Sequence, residues 1–111
     1  MIALFLSVLI LANLPPVQPL HPTLNSGNLV AAWPAPPNSM STVQVRRGVS
    51  GFYLGSSTNG TFAQSGPRDA AQRVLPGDLV RVVVFDASGN VVGRYAGEVR
   101  YRLWMPVWAV P

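Results

Sequence analysis

Cysteine and lysine are both absent from this 111-residue chain, which has a single histidine and four acids, Asp69, Asp78, Asp86 and Glu98, against eight arginines. Without cysteine there is no disulfide staple, no thiol nucleophile and no thiolate metal site. Charged residues make up 11% of the chain, far below the roughly 25% usual for soluble domains, while 49% is hydrophobic. So little charge beside so much apolar surface means that a partner, a membrane or a larger assembly covers part of the molecule. Sustained helical periodicity is missing too: from Asn28 onward no segment repeats its apolar residues every three to four positions. The net charge of +4 comes from arginines at 46, 47, 68, 73, 81, 94, 100 and 102. They are scattered through the sequence rather than clustered, so a solvated sheet face is expected and nucleic acid is not an expected partner.

What the chain does contain begins with MIALFLSVLILANL, residues 1–14, apolar at nearly every position and closed by Pro15-Pro16. The run is too short to span a bilayer, since 14 residues of helix reach about 21 Å against a hydrocarbon core of about 30 Å. It lacks the basic start of a secretory signal, and Ile10-Leu11-Ala12 is a poor cleavage site. An anchoring segment is expected, with Ile2, Leu4, Phe5, Leu6, Val8, Leu9 and Leu11 as the docking side chains and a membrane as a second candidate surface. Residues 15–27 follow as a proline-rich spacer, expected to be extended and without internal hydrogen bonds. His21 lies within it, with no carboxylate near in sequence to orient its ring.

A β-domain is expected over residues 28–104. Candidate strands are 28–33, 42–47, 51–55, 70–75, 79–85, 90–96 and 98–104, short runs divided by Pro, Gly, Asn and Ser. WPAPPNS cannot supply the amide donors of a central strand, and SSTNG and DASGN offer residues that accept positive φ. The last residues, 105–111, form an apolar tail; Trp104 at the end of the domain, with Met105 and Trp108 in the tail, either covers the bottom of the sandwich or docks on a neighbouring subunit, and these three are the candidate docking residues.

The stretch NLVAAWPAPP, followed by TVQVRRG and RVLPGDLVRVVVFDASGN, resembles a fibronectin type III domain over residues 24 to 96. The resemblance implies an all-β sandwich of about seven strands. It puts Trp33 in the core ahead of a proline-rich turn, Val43 and Val45 on the third strand, and Val80, Val82 and Val84 pointing inward after Val74 and Pro76-Gly77. The tyrosine that begins the inward run of the sixth strand in that family is replaced here by Val80, which removes its corner hydrogen bond.

No set of residues forms a catalytic constellation. Asp78 and Asp86 sit at opposite ends of one strand, about 27 Å apart by strand rise, and cannot converge on a substrate. Asp86, Ser88 and Asn90 lack the downstream glutamate of a calcium loop. GVSGFYLG has no following lysine or helix to hold a phosphate. No cofactor or metal is expected, nor is an enzyme. The expectation is a non-enzymatic structural module of a larger assembly, such as a bacteriophage virion, where small immunoglobulin-like domains serve in capsids, tails and decorations. Its partners would be other structural subunits. The alternative is a cell-surface or membrane-anchored module that binds protein or carbohydrate through an exposed patch at Phe52 and Tyr53.

Overall fold

The computed structural model describes residues 14–25, 28–64 and 73–101. These residues form an all-β, sandwich-like structure of nine strands in two sheets. The strands are β1 (Val17–Pro19), β2 (Thr23–Asn25), β3 (Asn28–Ala32), β4 (Met40–Arg47), β5 (Ser50–Ser57), β6 (Thr61–Ala63), β7 (Leu79–Phe85), β8 (Val91–Glu98) and β9 (Arg100–Tyr101). One sheet runs β1-β8-β7-β4-β5 and the other β6-β3-β2-β9. Two contacts are parallel, β1 with β8 and β2 with β9; the other pairings are antiparallel.

Alternation in the sequence makes the core. In LVRVVVF, Val80, Val82 and Val84 point inward with at most 1% exposure, and Val43 and Val45 meet them from β4. Leu24, Leu29 and Ala31 cover them from the second sheet. Trp33 is buried at the end of β3, where its indole N–H donates to the Ser41 hydroxyl at 2.9 Å. That bond satisfies a polar group that would otherwise be buried without a partner.

The turns follow their residue types. Pro37 and Asn38 take the central positions of the turn from Pro36 to Ser39, and Asn38 adopts φ 62°. Pro76 and Gly77, the latter at φ 93°, make the turn that closes with the Asp78 amide donating to the Leu75 carbonyl. In the β7–β8 hairpin the Asp86 carboxylate accepts from the amides of Ser88 and Asn90, both at 2.9 Å, so DASGN is a turn.

The proline-rich stretch departs from expectation. It is extended, but it is not free of hydrogen bonds: β1 pairs with β8 and β2 with β3 and β9. The chain changes sheets between them, and Leu20 and Pro22 are buried at the crossing. Prolines are tolerated because β1 lies at a sheet edge, where one side of the strand needs no donor. Two strands therefore come from a segment expected to be a spacer. A third, β6, also lies outside the expected set. Residues 73–75 of the expected 70–75 strand are not in a strand, since they lead into the Pro76-Gly77 turn; 70–72 lie outside the described residues. At the end of the domain only 100 and 101 form β9, and 102–104 lie outside the described residues.

Candidate functional site

Strand alternation points the two residues expected to form one contact patch to opposite sides of β5. Phe52 pairs with Val45 and faces inward, packing partly buried on the core, whereas Tyr53 pairs with Gln44 on the outer face and is 56% exposed. Phe52 is partly buried beneath the Arg47 guanidinium, 5.7 Å from its ring centre, and both it and Tyr53 line one groove of the sheet. Leu54 is buried on the same side as Phe52, and a bulge opposite Val43 and Gln44 then shifts the register so that Gly55 pairs with Val43 and the buried Ser57 with Ser41.

The carboxylates already have structural work. Asp78 accepts from Arg47 Nε at 2.9 Å and Nη2 at 2.8 Å, and from the Leu75 amide at 2.8 Å. Arg47 also donates to the Arg73 carbonyl, so it ties the β4–β5 hairpin to the turn before β7. The Arg47 hydrogen bonds hold the Asp78 carboxyl below its ordinary value, outweighing the opposing effect of desolvation. Asp86 is likewise lowered, chiefly by the Asn90 amide. Asn59 uses its side-chain oxygen locally, accepting from the hydroxyls of Ser57 and Thr61. His21 is exposed between β1 and β2. Among the described residues no three His, Asp or Glu side chains lie together as a metal site.

The outer face of the five-stranded sheet carries a shallow groove of about 430 Å³. Gly51, with no side chain, leaves its floor bare, and Tyr53, Val49, Gln44, Arg46 and Arg81 form its sides. The geometry follows from the β4–β5 hairpin: its loop is Gly48-Val49, the positive φ falls on Gly48, and Val49 is left fully exposed beside Tyr53. A second depression, of about 500 Å³, lies at the opposite edge of the sheet between Pro15, Pro16, Val92 and Arg94.

Register gathers arginines that are far apart in sequence. Arg46 lies in the row of Leu79, Arg81 in the row of Gln44, and Arg94 in the row of Val83. Each step from β4 to β7 to β8 advances the arginine by two residues along β7, so the three form one diagonal across adjacent strands. Sequence reasoning missed this cluster. Arg46 and Arg81 alternate with inward valines, which marks them as outward-facing, while Arg94 stands between Gly93 and Tyr95 in a strand without clear alternation; nothing local fixes which outward residues become neighbours.

Ile2, Leu4, Phe5, Leu6, Val8, Leu9, Leu11, Trp104, Met105 and Trp108 lie outside the described residues. Among the described residues no helix is long and apolar enough to cross a membrane. No family model, curated protein or solved structure matches this chain.

Proposed function

We propose that the protein is a non-enzymatic structural module of a larger assembly, a fibronectin type III-like sandwich that docks through the apolar segments at the two ends of its sequence. A bacteriophage virion protein, in the capsid, its decoration or the tail, is the concrete form of this reading. The observation that carries it is where the core comes from. Among the described residues the buried apolar cluster runs from Leu20 to Val99, and Val43, Val80 and Val84 have no exposed surface. The run at 2–14 and the Trp104, Met105 and Trp108 tail stand outside that stretch of chain. Exposing side chains of this kind to water costs about 1.5–3 kcal/mol each, which favours their burial against neighbouring subunits. Docking β1 on β8 fixes the base of the N-terminal run at a sheet edge, the position from which it would reach a neighbour's sheet.

Sedimentation velocity on the full chain and on residues 15–111 tests the proposal. The expected result is a defined oligomer for the full chain and a folded monomer for the shorter one. A monomeric full chain in detergent-free buffer overturns it, as does one that partitions into lipid vesicles instead of self-associating. The second reading, a surface-displayed binding module tethered by residues 1–14, is favoured by one feature, Tyr53 standing exposed beside the groove.

A further inference from the structure

We propose that the outer face of the five-stranded sheet binds single-stranded nucleic acid, with phosphates along the Arg46, Arg81 and Arg94 diagonal and a base stacked on Tyr53. The inference is independent of the assembly reading, because it uses a face of the sandwich rather than the chain ends.

Positive charge is in excess on this face. Among the described residues the ion pairs are Arg47 with Asp78 and Arg100 with Glu98. Arg46 reaches only the Gly48 carbonyl and Arg94 only that of Pro15. Glu98, the acid in the row of Leu79, lies on the opposite diagonal from Arg81 and has its oxygen 3.8 Å from Arg100. Three cations and one acid on one sheet face make a field that selects a polyanion.

Shape narrows the class of polyanion. Diagonal neighbours on adjacent strands lie about 7–8 Å apart, so the three arginines form a line rather than a cage. A line matches a repeating backbone of negative charge better than a compact headgroup, and guanidinium forks suit phosphate oxygens. Tyr53 lies beside Gln44 and next to Arg46, exposed on the groove wall, and offers a flat ring to a base. A cationic track with an adjacent aromatic platform is the arrangement that binds single strands without reading their sequence.

The test is fluorescence anisotropy of a labelled oligo(dT) titrated with the full-length protein at several KCl concentrations. Binding is expected with Kd of about 10⁻⁶ to 10⁻⁴ M near physiological salt, and log K should fall against log salt with a slope near −2, about −0.7 for each of three phosphate contacts. Arg46→Gln, Arg81→Gln and Arg94→Gln should each reduce that slope by about 0.7. Arg73→Gln, which lies outside both sheets, should leave it unchanged. Tyr53→Ala should weaken binding roughly 5- to 150-fold. Thermal unfolding of each variant checks that the sandwich is intact. Absence of binding at about 50 mM salt overturns the proposal, as does an unchanged slope in the triple arginine variant. So does equal binding of a sulfated polysaccharide with no effect of Tyr53→Ala, which would make the face a receptor for acidic glycans.

Discussion

Trp33 and Asp78 each make side-chain contacts that tie distant segments of this sandwich together. The Trp33 indole donates to Ser41, whose side chain has no exposed surface. Replacing Ser41 by Ala strands a buried N–H, and the expected loss is about 1–3 kcal/mol, read from a lower urea midpoint at unchanged m. Asp78 works through charge. Arg47 depresses its folded-state pKa below 3.8, with help from the Leu75 amide. A depressed carboxyl contributes stability that is fully present above the unfolded pKa and is lost as pH falls through the folded value. The protein should therefore melt at lower temperature as pH falls from 5 toward 2. Asp78→Asn should lower Tm by several degrees at pH 7, and its gap from the native protein should narrow as pH falls through the depressed pKa of Asp78. Asp86 has the same sign, so part of the pH dependence should survive in Asp78→Asn.

At the scale of elements, the crossing between β1 and β2 is the tightest joint. A side chain at Gly97 would run into the Leu20 carbonyl and the Pro22 ring. Leu20 donates its amide to Ala96 next door, so the close approach is what lets the chain change sheets here. Gly97→Ala should destabilise by about 1–3 kcal/mol through overpacking. Native-state hydrogen exchange should show faster exchange at the Leu20 amide than in the native protein. The hairpins were legible before the structure, since Pro76-Gly77 and Asp86 to Asn90 carry their turn chemistry in adjacent residues. The pairing of β1 and β2 was not legible. Prolines in VQPLHP argue against a strand locally, and only the free edge of β8 and the position of β3 make the pairing favourable.

On the scale of the whole molecule, the sandwich starts at β1 rather than at residue 28. Leu20 and Leu24 are 4% and 5% exposed. A chain beginning at Asn25 loses both, at about 1.5–3 kcal/mol each, and should unfold at far lower denaturant than one beginning at Pro15. Circular dichroism with urea titration compares the two chains directly. The candidate surface shows the same division. That Arg46 and Arg81 point outward follows from alternation with valines within each strand, a period-two property that neighbouring residues impose, whereas Arg94, between Gly93 and Tyr95, is placed by its pairing with Val83. The turn positions and the inward set of Val43, Val45, Val80, Val82 and Val84 are determined in the same local way. Tertiary structure alone decided that residues 35 and 13 positions apart in sequence lie on one diagonal. Strand order and register depend on contacts between distant segments, and a sequence carries those only as the sum of all its packing choices.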